Sequence, residues 1–480
     1  MSTSLSIVDW IFIIAFLIMS CIIGILARRK ISSLSDFLVA GRKLRSLWGL
    51  ATLASTEMGL VTIIYYSEEA YQNGFVAITA GVIAAITMWI VGKTGFIIER
   101  LREYQVMTVP EYFEIRFNSH IRWVAGVLTF LTGVLNMGIF LQVEGNFLVI
   151  VMGLSPSHLP LVMGSILVIV VAYTMLGGMV SVVLTDIFQF VFILIGITVT
   201  TVIALNHTDG FSGLITAVHE HYGNKGFLPF VAPRYGMLFI LWTCMYYLSG
   251  WTSWQPVVQR VLSMESVSTA RKLYRISSIF MFFRACIPMI WGIAALAVLG
   301  TVSETSTILP TMISQIVPTG LIGLTLIGFL SASMSTYDSY LLSFSSILAQ
   351  DIVSPWIKHP LTNKSRVLII RIGIIIIGLF IFTWGVFYEF SESVFRYITL
   401  TGSLSYAGIV TALVGGIYWK RVSINGVYCA FAGSAILPLI CLFIPSINST
   451  YAGITSFVLA PIGLIVGSLI LKRKEKSGDK

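Results

Sequence analysis

Apolar residues fall in long, nearly unbroken stretches along this chain, at roughly 8–27, 47–67, 75–98, 122–153, 158–176, 179–205, 236–260, 276–300, 319–350, 366–388, 394–418, 425–444 and 452–471. Each is near the ~20 residues that an α-helix needs to cross about 30 Å of hydrocarbon. The pattern predicts thirteen spanning helices, an all-α polytopic membrane protein with no soluble domain attached. Connections are short except near 99–121 and 206–235.

Two stretches are interrupted. In the second, Thr52, Ser55, Thr56, Glu57 and Gly59 bring polar groups, a carboxylate and a glycine to membrane depth. In the seventh, Ser249, Gly250, Thr252, Ser253 and Gln255 do so again, and Pro256 lacks the N–H that a helix would use. Non-helical backbone survives at this depth only inside protein or beside water, so the two breaks are expected to face each other. They open successive blocks of five spans if 8–27 is an extra helix. That arrangement suits two inverted repeats, 47–205 and 236–418, followed by two further helices at 425–471.

The ninth stretch carries a stripe. At 100° per residue, Ala332, Ser335, Thr336, Ser339 and Ser343 share one helix face. Small hydroxyl residues serve close helix packing, and they also present the neutral oxygens that bind a monovalent cation loosely enough to release it.

Composition agrees with the pattern: 56% of residues are hydrophobic, 11% are charged, and the mean hydropathy is +0.91. The net charge of +9 is explained by topology. Arg28, Arg29, Lys30, Arg42, Lys43 and Arg45 follow the first span, and basic residues close the chain at 472–480. Only Lys225, Arg234 and Arg396 then fall on the opposite side, so the N-terminus is expected outside and the C-terminus in the cytoplasm. The charges sit in short loops and form no nucleic-acid footprint. The first span lacks a small-residue cleavage site and reads as an anchor; with the positive-inside pattern this fits a bacterial inner membrane. Cysteines 21, 244, 286, 429 and 441 form no disulfide or metal spacing. No Walker loop, dinucleotide fingerprint or nucleophile elbow is present, which excludes ATP-driven transport within this chain and offers no sign of an enzyme or a cofactor.

Four carboxylates lie in spans, Glu57, Glu144, Asp186 and Asp338, with Arg284 the one deep base. Each is expensive in hydrocarbon unless paired or wet, which makes each a functional candidate. Structural roles compete: Asp186 as a helix cap, Glu144 as a partner for Arg284, Asp338 in a cavity. Asp338 lies about 60° from Ser335, beside the stripe rather than in it. So many acids keep proton or divalent coupling open.

Further motifs carry a resemblance: Ser35-Asp-Phe-Leu-Val-Ala-Gly-Arg42, Thr108-Val-Pro-Glu-Tyr112 with Arg116-Phe117, Tyr173-Thr-Met-Leu-Gly-Gly178, Thr185-Asp186-Ile-Phe-Gln189, Gln255-Pro256 with Gln259-Arg260, and Ser333-Met-Ser-Thr336 with Gln350-Asp351. In this order they resemble the sodium/solute symporter family, its proline permease branch more than its sugar branch. The resemblance implies a LeuT-like fold and sodium between the first and eighth core helices. Its ligands would be the carbonyls of Ser55, Met58 and Ala332 and the hydroxyls of Ser335 and Thr336. Asp186 matches an acid that in some members builds a second cation site; its helix partners here are Asp338 and Ser339, where hydroxyls are usual. Glu57 stands where the proline branch has Asp. The aromatic residues ahead of Gln-Pro are offset, so the resemblance does not single out proline as the solute. Thr56, Glu57, Gln142, Glu144, Tyr247, Trp251, Trp254 and Gln255 together suit a small polar or zwitterionic solute. The expected function is sodium-driven solute uptake, with a proton- or divalent-coupled carrier and a transporter-like sensor as rivals. The expected partners are that solute, sodium and the lipid bilayer, with no obligate protein partner.

Overall fold

The computed structural model describes residues 5–27, 33–230, 235–357, 361–388, 393–444 and 447–470; Arg28, Arg29, Lys30, Arg234 and the basic residues at 472–480 lie outside them. In chain order the α-helices are α1 (Ile7–Ala27), α2 (Leu34–Val39), α3 (Ser46–Glu57), α4 (Leu60–Asn73), α5 (Ile78–Thr94), α6 (Ile98–Glu103), α7 (Val109–Arg116), α8 (Ser119–Met137), α9 (Phe140–Val151) and α10 (Leu159–His207). They continue with α11 (Gly210–Tyr222), α12 (Met237–Ser253), α13 (Gln255–Leu262), α14 (Val267–Leu299), α15 (Ile308–Ile316), α16 (Ile322–Ile347), α17 (Asn363–Phe387), α18 (Val394–Tyr418), α19 (Ile424–Phe443) and α20 (Ser449–Leu469). Asn118, Ser266, Thr362, Ser393 and Ser423 cap helix starts by accepting main-chain N–H bonds.

Helix covers every apolar stretch read from the sequence. By length and composition, ten segments among the described residues can cross a bilayer. The stretches absent from that set as separate segments are 47–67, 236–260 and 319–350. Two are cut by the breaks, leaving helices of 12, 14, 17 and 8 residues, and the third is α16, diluted by its serines. Interruption in two stretches and polar dilution in the third thus mark the helices that build the site.

The two stretches 158–176 and 179–205 form one run, α10, bent at Gly178 with φ 50° and ψ −152°. That conformation belongs to glycine, and a Cβ there would lie 2.6 Å from Phe37 of α2.

The core centres on α16, which is buried along nearly its whole length and packs on α10, α1, α3, α8 and α17. Peripheral helices expose apolar faces instead: Ile11, Phe12 and Ile18 on α1, Ile372, Ile376 and Leu379 on α17, Ile462 and Ile465 on α20. Faces this continuous belong in lipid. The first helix is tied to the core by Asp9, a buried carboxylate that the reading of four in-span acids passed over. It accepts from the Gly323 N–H at 3.0 Å and from the Ser6 N–H at 2.9 Å, joining α1 to the start of α16.

α10 and α16 approach each other closely at Gly196 and Gly328: a Cβ on Gly328 would stand 2.7 Å from the Gly196 Cα, and one on Gly196 2.8 Å from the Gly328 Cα. Gly328→Val is expected to force these helices apart at a cost of about 1–3 kcal/mol, seen as a lower melting temperature of the purified protein. An unchanged melting temperature would mean that the two backbones do not meet there.

Candidate functional site

The first break lies between α3 and α4, at Met58 (φ −88°, ψ 40°) and Gly59 (φ −61°, ψ 153°). A helix end leaves carbonyls without i+4 partners, and at this depth the protein must supply them. The Thr336 hydroxyl donates to the Thr56 carbonyl at 2.9 Å, and Arg284 Nε donates to the Glu57 carbonyl. On the other side, Glu144 accepts the Val61 N–H at 3.1 Å and a bond from Ser333. Glycine at 59 is a matter of space: a Cβ there would lie 2.4 Å from Thr336 Oγ1.

The second break is tighter. Trp254 (φ −68°, ψ 111°) alone separates α12 from α13, and Pro256 occupies the first turn of α13, where its missing N–H is harmless. The Trp254 indole donates to the Tyr340 hydroxyl at 3.2 Å and packs edge-on against Tyr340 and Tyr406, with centroids 5.3 and 5.7 Å away. The two breaks do face each other, because Glu57 and Trp254 line the same cavity of about 70 Å³.

That cavity receives four of the eight residues expected at the solute: Glu57, Tyr247, Trp251 and Trp254. The other four lie elsewhere. Glu144 is fully buried as the cap on α4 and does not pair with Arg284. Gln255 points toward the loop before α7, accepting the Val109 N–H at 2.9 Å and donating to the Met107 carbonyl at 3.3 Å. Gln142 is outside the lining, and Thr56 turns to a polar cluster described below. Spacing on a helix gave these side chains the right depth but not the right rotation about the axis.

Arg284 was not among the expected solute residues, yet it lines the cavity. Its Nη2 stands 3.4 Å from Glu57 Oε2 and also meets Thr62 at 3.3 Å and Tyr65 at 3.4 Å. Glu57 Oε1 is buried without a partner. A lone arginine in an apolar helix was the available signal; its placement beside Glu57 was not readable.

Between α3, α10, α13 and α16 lies a second polar centre. Asp186 accepts from Thr52, from Ser335 and from Arg260 Nη2, the last at 3.4 Å. The same Nη2 donates to Thr56 Oγ1 at 2.7 Å and to Ser339, and Thr56 and Ser339 share a 2.8 Å bond. Asp338 stands alongside, accepting from Tyr173 at 3.1 Å, Thr185 at 3.3 Å and Ser339 at 3.1 Å. The expected second cation site therefore has a fully buried guanidinium in its midst, which the sequence reading recorded only as part of a motif. Among the described residues, no three His, Cys, Asp or Glu side chains converge as a divalent metal would require.

Of the expected sodium ligands, Met58 lies in the break, Ala332 gives its carbonyl to Thr336 at 3.0 Å, and Thr336 bridges to the break. Ser335 is directed to Asp186, and the Ser55 hydroxyl is buried without a partner.

Removing one member of a buried ion pair strands the other. Arg260→Met is expected to cost about 3–5 kcal/mol, read as a lower melting temperature, with partial recovery when Asp186→Asn is added. Equal melting of the single variant and the parent would show that Asp186 does not depend on Arg260.

A family model described as the sodium:solute symporter family matches residues 37–436. The chain is 25% identical over 453 residues to a sodium/glucose cotransporter of Vibrio parahaemolyticus, covering 86% of this chain and 80% of the relative. It is likewise 25% identical over 491 residues to a sodium/proline symporter of Haemophilus influenzae, covering 95% and 93%. Among solved structures, a substrate-bound, outward-open Na⁺-coupled sialic acid symporter superposes with a TM-score of 0.82 at 19% identity, covering 96% of this chain and 98% of that one. This likeness extends the agreement to the fold.

Proposed function

The chain belongs to the sodium:solute symporter family, and on that premise we propose how its two sites act together in sodium-driven uptake of a small polar or zwitterionic solute. It is an integral membrane transporter rather than an enzyme, with sodium as the coupling ion. In the proposed arrangement, thirteen spans comprise an extra N-terminal helix (8–27), two inverted five-helix repeats (47–205 and 236–418) and two C-terminal helices (425–471). The matching position of the breaks, α3–α4 opening one repeat and α12–α13 the other, supports the pairing. The distribution of basic loops supports an outside N-terminus, a cytoplasmic C-terminus and a bacterial inner membrane.

Sodium is proposed to bind the carbonyls of Ser55, Met58 and Ala332 and the hydroxyls of Ser335 and Thr336. The observation that carries this is the Thr336 contact with the Thr56 carbonyl, which puts a hydroxyl of α16 against freed main chain of the break. The ion would tie α3–α4 to α16. Thr336 and Glu57 also line the solute cavity, so ion and solute act through the same short backbone segment. Sodium ordering that segment prepares the cavity, and the linkage is reciprocal: solute tightens sodium by the same factor. Departure of both would release the break and let one bundle rock against the other.

In proteoliposomes, Ser335→Ala combined with Thr336→Ala is expected to abolish sodium-stimulated solute uptake while leaving folded protein in the membrane. Uptake at the parent rate would reject the ligand assignment.

A further inference from the structure

We infer that the transported solute is a net-neutral amino zwitterion, with an ammonium that keeps at least one N–H and a carboxylate a few bonds away. This rests on the assignment of the cavity between the two breaks as the solute site. Three observations lead to it.

The first is the orphaned oxygen. Glu57 is 95% buried, at 5% exposure, and its Oε1 has no hydrogen-bond partner. A buried carboxylate oxygen left unpaired is costly, and this one belongs to a residue lining the cavity. It calls for a donor brought in from outside. A quaternary ammonium has no N–H to give.

The second is the matched base. Arg284, also 5% exposed, uses Nε for the Glu57 carbonyl and Nη2 for Glu57 Oε2, Thr62 and Tyr65. These contacts leave Nη1 for a solute carboxylate, which guanidinium recognises through charge-assisted bonds. The pair holds one charge of each sign. A singly charged solute would add an uncompensated charge to a low-dielectric site, whereas a zwitterion places each charge on its complement.

The third is that several polar donors of the lining are already engaged. Asn136 Nδ2 already donates to the Ile398 carbonyl at 3.1 Å and to Thr401 at 2.9 Å, and the Tyr247 hydroxyl is bonded to Tyr66 at 2.7 Å. The rings of Trp254, Tyr340 and Tyr406 suit the apolar remainder of an amino acid.

The test uses the full chain in nanodiscs and proteoliposomes. Thermal stabilisation is measured with and without sodium against the common L-amino acids. The best binder is then compared with its decarboxylated amine, its deaminated acid and its N-trimethyl betaine. The expected result is an amino acid that stabilises only with sodium and drives sodium-dependent uptake, with each of the three analogues weaker by about tenfold or more. In Glu57→Gln the deaminated acid should overtake the amino acid, and in Arg284→Gln the amine should. Steric or folding defects would weaken all ligands alike without this exchange of order, and the parent comparison stands even if a variant does not fold. A sugar, a betaine or a singly charged solute as the best ligand overturns the inference while leaving sodium-coupled uptake intact, and so does the absence of any amino-acid response. Loss of sodium dependence for every ligand overturns the underlying site assignment as well.

Discussion

A helix interrupted in the middle of a membrane must find partners for its own backbone, and that requirement organises the centre of this protein. At the α3–α4 break, three side chains from other helices meet it: Thr336 from α16, Arg284 from α14 and Glu144 from α9. Each is itself fixed by a second contact, Thr336 to the Ala332 carbonyl, Arg284 to the Glu57 carboxylate and Glu144 to Ser333. The break is therefore a junction through which α9, α14 and α16 sense one another. Water cannot stand in for these partners without entering the core, so movement of any one of the three helices changes what the break can bind.

The buried charges divide the same way. Glu57 and Arg284 form a pair at the cavity, while Asp186, Asp338 and Arg260 form a cluster next to it, with Thr56 between. Buried ion pairs contribute little net stability, but an unpaired member is severely penalised. An arrangement of this kind selects one packing over its near alternatives. Because α3 and α13 both follow or precede a break, the hydrogen bond from Arg260 to Thr56 joins the two interrupted segments directly.

Much of this could be read from the chain. The apolar stretches, the two breaks, the stripe with Asp338 set to one side, and the family motifs are local patterns, and helix lies over each stretch. The differences in placement are equally specific. Gln255 was placed with the solute because it adjoins the second break, yet it holds the Val109 and Met107 main chain. Glu144 has the depth of a ligand and the role of a cap. Arg260 looked like a motif residue and proved to be the cation at the heart of the expected second site. Asp9 escaped notice because a single acid at the start of an apolar run resembles a helix end.

What the sequence determined by itself was everything set by neighbours along the chain: which segments prefer hydrocarbon, where a helix cannot continue, and which residue types wait at membrane depth. The tertiary structure alone decided who meets whom. Whether Arg284 joins Glu57 or Glu144, and whether Ser335 turns to the break or to Asp186, depends on the rotation and crossing of helices far apart in sequence. Those quantities are fixed by packing of whole faces, such as the contact of Gly196 with Gly328, and no periodicity within one segment encodes them.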